Sequence, residues 1–238
     1  MKNLLKFSAI ALALVASATF ASADSIQLGS FGSGQSNMGN NNTAMNFAGA
    51  QLQPNPPYPA NPSGFISSGT GTTFNIGTGG GTWTGPIMPN SSWISQNAQS
   101  FPGGSFVAPN GYYTYTTTFS ALGGAYAGSF SVLADDTVAV YLNGSLTPFI
   151  FAGAIGGDAH CADGQPNCLT TLTINPWDAT LLAGTNTLTF VVEQTGLVAE
   201  GLDFSANLQQ TPEPGSLVLL GTGLVGSAGA LLRRRRRA

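Results

Sequence analysis

The stretch TVAVYLNG, residues 137–144, decides the fold class because it joins a strand pattern to a turn signal. Successive side chains of an extended chain point to opposite faces, so Val138, Val140 and Leu142 share one face. Asn143 and Gly144 follow directly, and this pair favours a two-residue type I′ turn, which needs positive φ at both central positions. The stretch therefore predicts a β-strand that ends in a tight hairpin.

Similar segments with a period of two recur on both sides of this stretch, separated by turn residues. The predicted core faces are Tyr113, Tyr115, Thr117 and Phe119; Val138, Val140 and Leu142; Leu188, Phe190 and Val192; and Leu202, Phe204, Ala206 and Leu208. Asn175 and Pro176 are expected to begin one short helical turn, as N-cap and first helical residue. About eight strands spaced by turns predict an all-β fold, a β-sandwich or jelly roll, over residues 71–210.

Composition agrees with one all-β domain. The chain has 238 residues, of which 42% are hydrophobic and 7% charged, which is enough for one sizeable core. Residues 24–70 are rich in Gly, Asn and Pro and show no hydrophobic period. We therefore expect them to form a loosely structured arm before the sandwich.

Residues 1–23 have the features of a secretory signal peptide. Lys2 and Lys6 flank the start of an apolar segment that continues to Phe20, and Ala21–Ala23 forms an A-x-A cleavage site. We expect signal peptidase to remove this segment, so that the mature chain begins at Asp24.

The body of the protein, from Asp24 to Thr211, contains no lysine or arginine. Of the seven basic residues, two lie in the signal peptide and five at the C-terminus, whereas all ten acidic residues except Glu213 lie in the body. A body with no cations cannot neutralise phosphates, so nucleic acid and anionic lipid headgroups are poor partners for it. Neutral sugars, metal cations and other proteins remain.

The loop GGDAHCADGQPNC, residues 156–168, holds both cysteines. In an exported chain, Cys161 and Cys168 are expected to form a local disulfide, with two free thiols as the alternative. Asp158 and Asp163, with Asn167, offer the hard oxygen ligands that Ca²⁺ accepts. The loop lacks the spacing of an EF-hand, and a solvated acidic loop is the alternative to a calcium site.

Catalysis is not expected. The single histidine, His160, lies in this loop, which favours an exposed loop residue over a member of a hydrolytic triad. A glycosidase needs two facing carboxylates, and Asp135 and Asp136 are neighbours that point apart in an extended chain. Trp83, Trp93 and Trp177, with Tyr112 and Tyr126, are candidate platforms for sugar rings; packing in the core or at its rim is the alternative for each of them.

The C-terminus, residues 211–238, combines three features in a fixed order. Pro212, Glu213 and Pro214 come first, followed by the uncharged segment 216–232, which is long enough to cross most of a bilayer as a helix. A block of basic residues follows, comprising Arg233, Arg234, Arg235, Arg236 and Arg237. Arginines remain on the cytoplasmic side, so the body is expected to face outward. An ordinary single-pass anchor is the alternative.

This order of features resembles the PEP-CTERM sorting signal of exported proteins in Gram-negative bacteria that make exopolysaccharide. The resemblance implies that an exosortase recognises Pro212, Glu213 and Pro214 and removes the helix. It also implies a transient stay in the inner membrane, where the arginine block acts as the membrane stop, before delivery to the cell surface or the extracellular matrix.

A second resemblance covers about residues 83–208. The stretches SVLADDTVAVYLNG and LLAGTNTLTFVVEQTG look like those of galactose-binding-like jelly-roll modules. These motifs are structural and imply a fold more than a ligand. We therefore expect an exported, non-enzymatic surface or biofilm-matrix protein associated with exopolysaccharide and able to bind carbohydrate. The alternatives are a structural or adhesive protein with no discrete ligand and, less favoured, a glycan-active hydrolase.

Overall fold

The computed structural model of the protein describes residues 24–32, 44–53, 62–76, 88, 90–101, 103–154, 161, 164–211, 221–223, 226–227, 229–230 and 233–234. In these ranges the body forms ten strands and one short 3₁₀ helix. They are β1 (Ser25–Gly29), β2 (Asn46–Leu52), the 3₁₀ helix (Pro62–Phe65), β3 (Phe74–Asn75), β4 (Ile94–Ser95), β5 (Gly111–Ala121), β6 (Gly124–Asp135), β7 (Thr137–Leu142), β8 (Leu172–Leu181), β9 (Gly184–Gln194) and β10 (Gly201–Gln210).

These strands build two antiparallel sheets that pack as a sandwich. The first sheet has the order β3-β4-β10-β6-β8, and β1 pairs with the same edge of β10 as β4. The second sheet has the order β2-β5-β9-β7. The two longest pairings, β5 with β9 and β6 with β10, lie in the middle of the two sheets. The predicted all-β sandwich is confirmed.

The main core lies between the sheets, and alternation along the strands explains its membership. The predicted core faces are buried there, with Thr117 also buried and Leu142 partly buried at the margin. Phe130 stacks on Phe204 with ring centroids 5.7 Å apart, and Phe190 lies 4.6 Å from Phe204. Aromatic residues from three strands of both sheets therefore form its centre.

The predicted hairpin turn after β7 is also confirmed in its conformation. Asn143 has a φ of 52° and Gly144 a φ of 70°, the positive values that a type I′ turn requires. The Asn143 side chain fixes the turn to β9, because its Oδ1 accepts the Thr187 N–H at 2.8 Å. The turn does not close a tight hairpin, however: among the described residues β7 pairs with β9, and the chain after the turn returns to β7 only at the isolated bridge between Val140 and Ile150.

Two local predictions were wrong. The predicted arm over 24–70 contains β1 and β2, which are strands of the sandwich, since β1 pairs with β10 and β2 with β5. The predicted helical turn at Asn175 and Pro176 is part of β8. There, both residues together face Ser129 of β6, a bulge that accommodates a proline without a ladder N–H. Because β8 is an edge strand, the missing donor leaves no partner unsatisfied inside the sheet.

The two ends of the sandwich are built differently. One end, here called the terminal end, carries the β5–β6 turn, the β8–β9 turn and both limits of the body, Asp24 and Thr211. The other end, here called the acidic end, carries Asp135, Asp136, Glu193, Glu200 and Asp203, all of them buried.

Loops cover the outer faces of both sheets near the acidic end. On the first sheet, Leu133 packs beneath Ile76, Met88, Trp93 and Cys168. On the second sheet, the side chains of Tyr112, Ala139, Tyr141 and Val191 form a small cluster with Phe65, Ile66 and Ala152. These two covers explain why side chains that alternation assigns to the outer faces are buried at this end.

Candidate functional site

The body ends at Thr211, which is hydrogen-bonded to β6. Thr211 follows the last residue of β10, and both its N–H (2.9 Å) and its hydroxyl (3.1 Å) donate to the Ala125 carbonyl. Pro212, Glu213 and Pro214 come next and lie outside the described residues. The body is thus hydrogen-bonded to the last residue before the predicted processing motif.

Part of the C-terminal tail is described and is helical. The described positions are 221–223, 226–227, 229–230 and 233–234, and their side chains are exposed. They include Arg233 and Arg234, whereas Arg235, Arg236 and Arg237 lie outside the described residues. Within the described part of the chain, no helix combines the length and the apolar character that a membrane crossing needs.

The predicted disulfide is present. Cys161 and Cys168 are bonded to each other, with their Cα atoms 5.1 Å apart. Cys168 is fully buried in the cluster under Trp93, so the bridge fastens the loop to the outer face of the first sheet. A carboxylate oxygen of Asp135 lies within 4.8 Å of both sulfurs. Because the sulfurs are bonded to each other, they are not the thiolates that a metal ion would need.

The predicted calcium ligands Asp158 and Asp163, together with His160, lie outside the described residues. Asn167, the third oxygen donor considered, is described and nearly buried. Its side-chain carbonyl accepts the N–H groups of Leu169 at 2.9 Å and Thr170 at 2.8 Å. This oxygen therefore closes a turn of the loop, and the calcium site stays a prediction that rests on the two aspartates.

The predicted sugar platforms need correction where they are described. Trp177 is 4% exposed and stacks on Phe149, with the ring centroids 4.8 Å apart and the planes 16° apart. Trp93 is 8% exposed and packs with Leu133. Both indoles are packing residues, and neither offers an open ring face to a sugar. Tyr112 and Tyr126 are likewise buried, and Trp83 lies outside the described residues.

Glu200 is the centre of a buried hydrogen-bond network at the acidic end. The Tyr115 hydroxyl donates to one carboxylate oxygen at 2.5 Å and the Ser95 hydroxyl to the other at 2.8 Å. Ser100 accepts the Glu200 N–H at 2.9 Å and donates to its carbonyl at 2.7 Å. Burial raises the pKa of Glu200 to about 7, although these hydrogen bonds oppose the rise.

The same network acts on Tyr115. Burial and the neighbouring Glu200 charge raise the pKa of Tyr115 well above its usual value, so the phenol remains a donor at neutral pH. Its oxygen also accepts the Gln96 N–H at 3.1 Å. The network therefore ties β5 and β4 to the chain that leads into β10.

Asp203 lies on the outer face of β10, opposite Leu133 of β6. The Ser30 hydroxyl donates to it at 2.9 Å, and Ser91 adds a further hydrogen bond. Burial raises the pKa of Asp203 to about 6, against the effect of these donors. Ser30 thus connects the end of β1 to this carboxylate.

The remaining acidic side chains of this end surround the start of β7. Asp136 accepts the Thr195 N–H at 2.6 Å and the Thr195 hydroxyl at 2.7 Å. Glu193 lies on β9 beside Thr137. Burial of Tyr141 and, to a smaller extent, the charge of Glu193 raise the pKa of Tyr141 to about 12. With no lysine or arginine in the body, these acids can only be solvated, hydrogen-bonded or cation-bound. Hydrogen bonding describes Asp136, Glu200 and Asp203.

The buried acids were not predicted from the sequence. Their signal was present in the residues around them, because Leu133, Ala139 and Val191 place apolar side chains on faces that alternation assigns to solvent. Such an apolar outer face indicates a covering loop. The covered face then also buries the acids that share it.

Comparison with known proteins identifies the tail. The geometry defines an all-β body that extends to residue 211, and the positions described between 221 and 234 are helical and include Arg233 and Arg234. Residues 210–237 match the PEP-CTERM protein-sorting motif, so the chain carries this sorting signal. The signal implies an exported substrate of an exosortase, as the resemblance predicts.

Comparison of the body is much less specific. No curated protein matches the chain. A family 35 carbohydrate-binding module from Clostridium thermocellum has 14% identity and a TM-score of 0.30, over 58% of this chain and 88% of the module. A module of the same family from an environmental isolate has 14% identity and a TM-score of 0.28, over 73% and 97% of the two chains.

Several of the similar structures are enzymes. A β-glucosidase from Kluyveromyces marxianus, in complex with glucose, has 14% identity and a TM-score of 0.30. The match covers 74% of this chain and 17% of the enzyme. At TM-scores this low, these similarities assign neither a ligand nor an activity to the sandwich.

Proposed function

We propose that the protein is an exported, non-enzymatic surface or matrix protein that an exosortase releases from the inner membrane and that then associates with exopolysaccharide. The observation that carries the proposal is the sorting signal over residues 210–237. It begins at Gln210, the last residue of β10, so the sorting signal follows the folded body and shares only this residue with it.

The anchoring step is argued from the tail itself. The uncharged segment 216–232 is about as long as a membrane-spanning helix requires, and the arginines that follow hold its end in the cytoplasm. The body then faces outward until the exosortase cuts the chain.

A role without catalysis is supported by the described carboxyls. Glu200 is the carboxyl whose pKa of about 7 would suit general acid or base chemistry, and it is 0% exposed. A substrate cannot reach it without opening the acidic end. We therefore assign Glu200 a structural role in stabilising the sandwich.

Association with exopolysaccharide follows from export and from charge. Because the body has carboxylates and no lysine or arginine, it is repelled by polyanions, which leaves neutral polysaccharide as the favoured medium. Burial of Trp93 and Trp177 favours a structural or adhesive role over a discrete aromatic sugar pocket. We keep two finer proposals: that Trp83 contributes to a sugar-binding pocket, and that Asp158 and Asp163 bind Ca²⁺.

Processing is tested by replacing Pro212, Glu213 and Pro214 with alanine. We expect the full-length chain to accumulate in the inner membrane, seen as a larger band in the membrane fraction. The matched control replaces the triplet Pro57, Tyr58 and Pro59, another Pro-X-Pro sequence far from the tail. Unchanged processing of the first variant would refute the sorting role of the triplet.

Ligand binding is tested by glycan-array binding of the processed protein, with and without EDTA. Specific, saturable binding would favour the carbohydrate-binding role, and its loss in EDTA would implicate a metal ion. A blank array, with normal retention of the protein in the native matrix, would favour the structural role.

A further inference from the structure

Both limits of the body meet at the terminal end. The Gln210 N–H donates to the Asp24 carbonyl at 2.8 Å, so the residue after the predicted signal peptide lies beside the residue where the sorting signal begins. The Asp24 carboxylate accepts the Tyr126 hydroxyl at 2.7 Å, and the Leu122 N–H approaches it at 3.4 Å. Both segments that enter the membrane during export therefore leave the sandwich from one end.

The length of the tail connection keeps this end close to the bilayer. Four residues, 212–215, separate Thr211 from Ser216, the first residue of the predicted membrane segment. At about 3.6 Å per residue, even a fully extended connection spans at most about 18 Å. The headgroup region adds only about 5–8 Å on each side of the hydrocarbon core. An anchored body must therefore have its terminal end next to the membrane surface.

Leucines occupy the tips of the turns at this end. Leu122 in the β5–β6 turn is 68% exposed and Leu182 in the β8–β9 turn is 57% exposed. The two turns touch, because a Cβ added at Gly123 would lie 2.9 Å from the Ala183 nitrogen. Leu146, 77% exposed, follows the hairpin turn of β7, which adjoins the β8–β9 turn through the Asn143–Asn186 hydrogen bond of 2.8 Å.

Exposure alone does not single out these leucines. Leu197, at the acidic end, is 58% exposed, and isolated apolar side chains are common on protein surfaces. The difference is the tether, which brings Leu122, Leu146 and Leu182 to a bilayer and keeps Leu197 away from it.

Charge decides which part of the membrane such a surface can contact. The body has no lysine or arginine to bind anionic headgroups, so attraction has to come from apolar burial. Each leucine that enters the boundary between headgroups and acyl chains gains free energy by removing its apolar surface from water. Cleavage at Ala23 would also create an α-ammonium on Asp24, a single cation at the same end.

We propose that Leu122, Leu146 and Leu182 form a membrane-contact surface, which seats the terminal end of the body in the outer surface of the inner membrane until the tail is cut. The inference rests on the proposed function, since it needs the tail to be inserted. Release of the tail then removes the tether, and three leucines alone give only weak, reversible binding. The contact would hold the connection between Thr211 and the membrane in one orientation for the exosortase.

The test uses the full-length precursor in the native inner membrane. The photoreactive residue p-benzoylphenylalanine replaces Leu122 or Leu182, and replaces Leu197 as the matched control at the acidic end. After illumination, we expect lipid adducts at positions 122 and 182 and no lipid adduct at position 197. In a strain without the exosortase, where the precursor accumulates, the fraction of precursor that carries a lipid adduct should be unchanged.

The outcomes separate this inference from the proposed function. If the precursor is absent from carbonate-washed membranes, the anchoring role of the tail fails. If the precursor is anchored but positions 122 and 182 give no lipid adduct, the membrane contact is overturned. An adduct to the exosortase in place of lipid would overturn it in favour of docking on the enzyme.

Discussion

The terminal end and the acidic end of the sandwich handle their side chains in opposite ways. At the terminal end, apolar Leu122 and Leu182 are exposed on bare turns. At the acidic end, ionisable side chains such as Glu200 and Asp203 are buried beneath loops that cover both sheets. The acidic end therefore departs from the usual distribution of polar and apolar residues and compensates through a hydrogen-bond network, whereas single exposed leucines such as those of the terminal end are common on protein surfaces.

This difference suggests that the acidic end determines the stability of the body, whereas the terminal end serves its attachment to the tail. Buried carboxyls without a cation cost free energy unless donors surround them or a proton neutralises them. Glu200 has both, since it accepts two hydroxyl donors and its pKa rises to about 7. The acidic end is thus expected to control how stable the body is and at which pH. The exposed turns of the terminal end carry no such buried carboxyl and are free to serve the tail.

The largest effect on stability is expected at Glu200. The variant Glu200→Ala would leave the hydroxyls of Tyr115 and Ser95 buried without their acceptor, at about 1–3 kcal/mol each. We expect the free energy of unfolding to fall by about 4 kcal/mol, measured by urea denaturation of the processed protein. The control Asp178→Ala, on an exposed side chain of β8, should stay within about 0.5 kcal/mol. Equal effects of the two variants would refute the distinction between buried and exposed acids.

The second effect is a dependence on pH. Burial raises the pKa of Glu200 from 4.5 to about 7 and that of Asp203 from 3.8 to about 6, so the folded state binds protons more tightly than the unfolded state. Stability is then fullest below the unfolded pKa values and falls as pH rises through 6 and 7. For Glu200 the loss is about 3 kcal/mol at 1.36 kcal/mol per pKa unit.

Urea denaturation across this pH range measures the loss. The variant Glu200→Gln keeps an acceptor but cannot titrate, so its stability should no longer fall through pH 7, while the part due to Asp203 near pH 6 remains. A wild-type stability that rises through this range would contradict the raised pKa values of these two carboxyls, which are buried without a neighbouring cation.

Much of the central fold could be predicted from the sequence because alternation reports which face of a strand is covered. The faces of β5, β7, β9 and β10 were predicted in this way and are confirmed. The tail was also predictable, since its three features form a local sequence signal. Both successes depend on information contained in short stretches.

Features that depend on distant partners were missed. β1 is a strand because Ser25–Gly29 pairs with β10, and its local pattern is only five residues long. Asn175 and Pro176 carry a strong local helix signal, but pairing of β8 with β6 overrides it. The burial of Glu200 likewise depends on Ser95 and Tyr115, which are distant in sequence and gave no local sign of the network.

The disulfide should give the third effect, confined to the acidic end. Replacing Cys161 and Cys168 with serine removes a short covalent loop, which we expect to lower the free energy of unfolding by about 2 kcal/mol. Hydrogen exchange should increase around Leu133 and Trp93, which pack with Cys168, and not at the turns of the terminal end. Increases of the same size at both ends would show that the two ends are not independent.

The smallest effect on stability is expected at the terminal end. Leu122→Ser and Leu182→Ser, like the control Leu197→Ser, replace exposed side chains and should change the free energy of unfolding of the processed protein by no more than about 0.5 kcal/mol. In the anchored precursor the three variants should differ. Replacing Leu122 or Leu182 weakens the membrane-contact surface, which exposes the connection after Thr211. Added protease should then cut this connection faster, whereas Leu197→Ser should leave the cleavage rate unchanged. Equal protease sensitivity of the Leu122 and Leu197 variants would mean that the tether alone positions the body, and a large loss of stability in either variant would show that these leucines are part of the folded core.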